Sequence, residues 1–119
     1  MIRAMRSDPY ERYSRHYDAI GQSGFSQRSI ANLLRYLDDR GFRPRSALDL
    51  ACGTGAVVAD LAARGIRVAG LDRSAAMIAL ATQRVAETGL SAEFIEADMT
   101  DFVVAAPVDL CTCFYDAVN

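Results

Sequence analysis

Histidine and cysteine are scarce in this chain: among 119 residues there is one histidine, His16, and there are three cysteines, Cys52, Cys111 and Cys113. An odd, small number of cysteines cannot form a disulfide framework and points to a reducing, cytoplasmic setting. Cys111 and Cys113 share one face if they lie in a strand, but a zinc site needs two further ligands and His16 offers no partner at a matching spacing, so buried thiols are expected and a metal site is not. A nucleophilic role for Cys52 is excluded on similar grounds, because no histidine is placed to activate it. Long apolar runs are also missing. The longest, residues 75–81, has seven residues, against roughly 18 for a bilayer span, and no apolar segment follows the early arginines to make a signal peptide. The formal charge of −2 lacks the basic excess that a nucleic-acid surface requires. Arg3, Arg6, Arg12 and Arg15 concentrate positive charge locally, as a solvated tail or a contact for an anionic group.

What is present is an alternation of helical and extended patterns. Residues 1–24 show no sustained period, although Tyr10, Tyr13 and Tyr17 fall on one helical face; they read as a cover or lid segment, packed on the body of the domain or touching a ligand. From residue 26 to 40 the apolar positions Ile30, Leu33, Leu34 and Leu37 follow the i, i+3, i+4, i+7 pattern of an amphipathic helix, ended by Gly41 and Pro44. A strand is predicted over residues 47–51, a helix over 56–64 ending at Gly65, and a strand over 66–71 with Asp72 at its tip. Ser74 is placed to cap a third helix reaching Thr88 and closed by Gly89. A third strand over 92–96, a loop over 98–106 with at most one helical turn, and a fourth strand over 108–115 complete the series. Strands separated by helical crossovers imply an α/β architecture, a parallel sheet with helices on both faces.

The stretch 47–55, Ala-Leu-Asp-Leu-Ala-Cys-Gly-Thr-Gly, organises this pattern. A glycine-rich turn between a first strand and its helix lets a ligand approach the main chain, and the helix from Ala56 turns its unpaired N–H groups toward the same space. About twenty residues on, Asp72 at a strand tip suits the two hydroxyls of a ribose. An adenosine compound is the ligand this predicts. A dinucleotide fingerprint would carry a third glycine where this chain has Val58, which counts against NAD. Asp49, four residues before the first glycine, suits a positively charged ligand, since it would repel a pyrophosphate. S-adenosylmethionine, with its α-amino group and sulfonium, meets both conditions.

At this point the sequence resembles the class I S-adenosylmethionine-dependent methyltransferases, particularly their small-molecule branch. The resemblance is carried by Leu48-Asp49-Leu50-Ala51-Cys52-Gly53-Thr54-Gly55, by Gly70-Leu71-Asp72-Arg73-Ser74-Ala75-Ala76-Met77, by Glu96-Ala97-Asp98-Met99, and by Val108-Asp109-Leu110 leading to Phe114-Tyr115-Asp116, with Tyr13, Tyr17 and Asp18 similar to the opening of that branch. It implies a Rossmann-like doubly wound sheet, of which this chain holds the first four strands in the order 3-2-1-4, with a cover over residues 1–24 and the cofactor-binding domain over residues 25–119. It implies that Asp49, Ala51, Cys52, Gly53 and Gly55 hold the methionine half of S-adenosylmethionine, that Asp72 holds the ribose, that Arg73 and Met77 flank the adenine, that Asp98 and Met99 read its edge, that Phe114 and Tyr115 close the pocket beside the reactive methyl, and that Tyr17 is a further cofactor contact.

Each assignment has a plainer alternative. Asp49 can tie down the turn, Asp72 can cap a helix, Met77 can pack in the core, and Asp98 can form a turn. The implied function is methyl transfer to a small-molecule acceptor, with no catalytic side chain singled out. A non-catalytic S-adenosylmethionine-binding module and, less well supported, a NAD-dependent oxidoreductase are the competing readings. The family's sheet continues beyond a fourth strand, so the chain reads as the N-terminal part of a catalytic domain whose fourth strand pairs with a missing half or with a second copy. Neither a nucleic acid nor a membrane is an expected partner.

Overall fold

The computed structural model describes residues 22–103 and 106–114, with side chains from Gln27 onward. Residues 1–21 of the cover segment, with Tyr17, and Tyr115 at the far end lie outside the described residues. Seven elements follow in order: α1 (Gln22–Asp39), β1 (Ser46–Leu50), α2 (Ala56–Ala63), β2 (Arg67–Asp72), α3 (Ala75–Glu87), β3 (Glu93–Glu96) and β4 (Leu110–Cys113). The strands form one parallel sheet in the order β3-β2-β1-β4, the order the family resemblance implies.

Register fixes which side chains share a face. Ala47 lies beside Val68 and Leu110, while Asp49 lies beside Gly70 and Thr112. Phe94 of β3 continues that row next to Gly70. Ile30 of α1, Val57, Val58 and Leu61 of α2 and Val85 of α3 pack with Ala47 and Val68 into one core cluster, with Phe94 and Leu110 at its margin. All three described helices therefore cover the same face. The physical reason is that β1 to β2 and β2 to β3 step in the same direction across the sheet, and right-handed crossovers then deposit both connecting helices on one side. Val58 and Leu61 are completely buried, a burial that stabilises by about 1.5–3 kcal/mol for each such side chain. Helices on both faces were expected; within the described residues the second face, which carries Leu48, Leu50, Cys111 and Cys113, has none.

Local chemistry sets the element ends. Ser74 caps α3 as expected, its hydroxyl oxygen accepting from the Met77 N–H at 3.3 Å. β1 stops at Leu50 and not at Ala51, because Ala51 has left the extended region for φ 53°. The helix predicted from residue 26 begins at Gln22, inside the segment assigned to the cover. β4 is shorter than the predicted 108–115 because Asp109 serves as an anchor before it: its carboxylate accepts from the Arg45 N–H at 2.8 Å, and its own N–H donates to the Ser46 hydroxyl at 3.0 Å. One expectation fails here. Cys52 is buried, but Cys111 is exposed and Cys113 only half-buried, because they project from an edge strand onto the face that lacks a described helix.

Candidate functional site

In a parallel α/β sheet every strand delivers its carboxyl end to the same edge, and the segments that follow the strands meet there. Here those segments are the turn 51–55 after β1, Asp72 and Arg73 after β2, residues 97–101 after β3 and Phe114 after β4. The sheet order sets them side by side as 97–101, Asp72, the turn, Phe114.

The turn is built from main-chain bonds and two differently used glycines. The Cys52 N–H donates to the Leu71 carbonyl at 2.9 Å, and the Gly55 N–H donates to the Cys52 carbonyl at 3.1 Å. Gly53 has φ +57°, and a Cβ built on it would meet nothing within 4 Å. The main chain there borders open space that a ligand can enter. Gly55 works in the opposite sense: at φ +84° it stands so close to α3 that a Cβ would lie 2.8 Å from the Ala81 Cβ and 3.0 Å from its Cα. Both glycines were assigned to the ligand from sequence; the structure gives Gly55 a packing duty, the seating of the α2 N-terminus on α3. Gly70 is a second close approach, since its Cβ would come within 2.9 Å of both the Cys52 Sγ and the Val58 Cγ2. The Cys52 side chain is thus directed into the core, burial raises its pKa, and the turn offers its main chain to the outside.

Two aspartates supply the charge. Asp72 ties the turn to the tip of β2: one carboxylate oxygen accepts from the Gly53 N–H at 2.9 Å and the other from the Ser74 N–H at 2.9 Å. Each carboxylate oxygen has a further acceptor direction, so this scaffold duty is compatible with holding a diol. Asp49 is 3% exposed and accepts the Thr112 hydroxyl at 2.6 Å. Burial pushes its pKa from 3.8 to about 7, opposed by the Thr112 hydrogen bond and assisted by the charge of Asp72. Among the described residues no cation pairs with it. Among the described residues the site therefore holds a buried acid next to an open glycine turn, with no basic side chain paired to that acid.

The remaining assignments divide. Met77, in the first turn of α3, is 3% exposed, so its contact with a ligand competes with core packing. Arg73 is exposed and Met99 half-buried. Asp98 is exposed and makes the turn that was its plainer reading, one oxygen accepting from both the N–H and the hydroxyl of Thr100 at 2.9 and 2.7 Å; those bonds, with the Arg73 guanidinium nearby, lower its pKa. Phe114 is half-buried and packs against the core cluster. Sequence reasoning missed Thr112, whose partner lies 63 residues away. The signal for it was strand alternation, which puts Thr112 on the opposite face from Cys111 and Cys113. It also missed Thr54, which is 2% exposed inside the turn.

Known proteins resemble this chain in sequence and fold. Residues 47–119 match the methyltransferase domain family. A dTDP-4-amino-2,3,4,6-tetradeoxy-D-glucose N,N-dimethyltransferase of Saccharopolyspora spinosa is 41% identical over 69 residues, 58% of this chain and 26% of that protein. A ubiquinone biosynthesis O-methyltransferase of Pseudomonas savastanoi pv. phaseolicola is 32% identical over 97 residues, 77% of this chain and 42% of that protein. The solved structure of an amino pentose methyltransferase from Micromonospora echinaspora, bound to SAM and involved in calicheamicin biosynthesis, superposes with a TM-score of 0.72 at 28% identity, covering 96% of this chain and 46% of that one. The chain spans less than half the length of each of these proteins. With more than half of its residues matched and the parallel sheet in the same fold, the chain belongs to the methyltransferase domain family.

Proposed function

We propose that this chain forms the S-adenosylmethionine-binding part of a methyltransferase acting on a small-molecule acceptor. One observation carries the reading: an open main chain at Gly53 beside a buried Asp49, unpaired with any cation among the described residues, and a strand-tip Asp72. The residues present fit this cofactor. Its amino acid end needs main-chain donors and a carboxylate, which Ala51, Cys52, Gly53 and Asp49 would supply, and its ribose needs an acceptor such as Asp72. Arg73 and Met77 would flank the adenine, Asp98 and Met99 would read its edge, and Phe114 and Tyr17 would close the site, with Gly55 holding the turn in place. A pyrophosphate ligand fits less well, since Asp49 would repel it.

When bound, S-adenosylmethionine supplies a methyl group already activated by its sulfonium. The protein's part is then to align that methyl with the acceptor and to exclude competing water. Asp49, in its ionised form, contributes a negative charge in a low-dielectric setting, where it acts more strongly on a cation than it would in water. Relatives named for acting on an amino sugar and in ubiquinone biosynthesis support a small-molecule acceptor. No helix among the described residues is long and apolar enough to cross a membrane. Unpaired cysteines support a cytoplasmic setting. Because β4 ends the described sheet and the match covers less than half the length of the relatives, further strands, from the same polypeptide or a second copy, are proposed to pair along β4.

The direct test is transfer of labelled methyl from S-adenosylmethionine to amino-sugar and phenolic acceptors, alongside binding of S-adenosylhomocysteine. Transfer supports the enzyme. Binding without transfer to any acceptor supports the alternative, a binding module, and binding of NAD in preference to S-adenosylhomocysteine rejects both.

A further inference from the structure

Thr112 occupies a position that packing alone would give to valine. It is 5% exposed, in the middle of β4 directly beside Asp49 of β1, where a β-branched side chain of the same shape would fit without a hydroxyl to desolvate. The hydroxyl is used: it donates to Asp49 Oδ1 at 2.6 Å, across a sequence separation of 63 residues. This is the side-chain hydrogen bond that bears on the Asp49 carboxylate. The titratable groups around it are Asp72 at the tip of β2, Cys52 in the turn, and Cys111 and Cys113 to either side of Thr112 on β4. Asp72 opposes ionisation of Asp49. The thiols are uncharged at neutral pH, since burial raises the pKa of each. The first turn of α2, from Ala56 to Val58, contributes no charged side chain. Among these groups, Thr112 is thus the one that favours the charged carboxylate.

We propose that Thr112 is a positioning residue of the cofactor site: its hydroxyl orients the Asp49 carboxylate and keeps it ionised for the ligand's ammonium group. This deepens the reading of the turn as a S-adenosylmethionine cradle and rests on it. A donor to a carboxylate stabilises the ionised form, so its loss shifts the acid toward the protonated state that cannot pair with an ammonium group.

The test compares the wild type, T112V and T112S by carbon-13 carboxyl NMR titration of Asp49 and by calorimetry with S-adenosylhomocysteine from pH 6.5 to 9. T112V is expected to move the Asp49 midpoint upward by at least one pH unit. From a midpoint of about 7 in the wild type, one unit cuts the ionised fraction at pH 7 from about a half to about a tenth. Affinity then falls about fivefold at pH 7 and recovers by pH 9, while T112S follows the wild type. An unmoved Asp49 midpoint in T112V overturns the proposal. So does an affinity loss equal at every pH, which a merely structural role would give. If the wild type binds no S-adenosylhomocysteine, the cofactor reading falls, and the Asp49 midpoint alone still decides whether Thr112 sustains the charge.

Discussion

Replacing Asp49 by asparagine should shift stability in the variant's favour as pH rises through about 7 while weakening its ligand binding. In the wild type the carboxyl is buried, and burial raises its pKa from 3.8 to about 7. The sign follows from proton linkage. Between pH 3.8 and about 7 the folded chain holds a proton that the unfolded chain has released, so the stability this group confers is complete below pH 3.8 and is lost as pH rises through about 7. That rise in pKa corresponds to about 4 kcal/mol over the whole range, and about 3 kcal/mol of it falls between pH 5 and pH 8. D49N cannot titrate. Its amide oxygen still accepts the Thr112 hydroxyl, while its buried NH2 costs about 1–3 kcal/mol if unpaired. D49N is therefore expected to be equal to or less stable than the wild type at pH 5 and to gain on it by about 3 kcal/mol by pH 8, closing or reversing the gap. Cys52, Cys111 and Cys113, whose pKa the Asp49 charge helps to raise, stay protonated from pH 5 to 8, so the stability difference reports mainly on Asp49. Urea unfolding at pH 5, 6, 7 and 8 reads it directly. A difference that stays constant over that range, or grows in the opposite direction, would refute the reasoning.

The two glycines of the turn should separate in effect. Gly53→Ala meets open space, so it should cost about 1–2 kcal/mol through its left-handed φ alone yet reduce S-adenosylhomocysteine affinity by tenfold or more in calorimetry. Gly55→Ala adds a contact under 3.0 Å with Ala81 and should lower the urea midpoint further, by about 1–3 kcal/mol beyond the conformational cost. Ala51 carries a left-handed φ of 53° without being glycine; Ala51→Gly should stabilise by about 0.5–1 kcal/mol in the same assay, the relief of strain outweighing the added freedom of the unfolded chain. Ser74→Ala removes the α3 cap and should cost about 1 kcal/mol.

What could be read from the sequence was local or periodic. The three helices announce themselves by apolar spacing, and the start of α3 by Ser74, because caps and amphipathic faces involve residues a few positions apart. The site's outline was legible for the same reason, since the strand, turn and helix from residue 47 to 63 are contiguous. Relations that depend on register were not. The Asp49–Thr112 bond needs β4 to be set beside β1 with those two residues opposite each other, and one residue of slip would have put Thr112 on the other face. The duties of Gly55 and Gly70 depend on how closely α3 and Cys52 approach them, which no local pattern encodes. The shorter β4 follows from Asp109 anchoring Arg45 and Ser46, a contact between distant segments. The exposure of Cys111 depends in turn on which face of the sheet the helices cover.

The role proposed for the turn after β1, with Asp49 and Asp72, is to accept an adenosine ligand that carries an ammonium group. Isothermal titration of S-adenosylhomocysteine and NAD against the wild type and D49N tests it most directly. The account predicts saturable binding of S-adenosylhomocysteine at pH 8, weaker binding of NAD, and a loss of S-adenosylhomocysteine affinity of about tenfold or more in D49N. Tighter binding of NAD, or S-adenosylhomocysteine affinity unchanged by D49N, would contradict it.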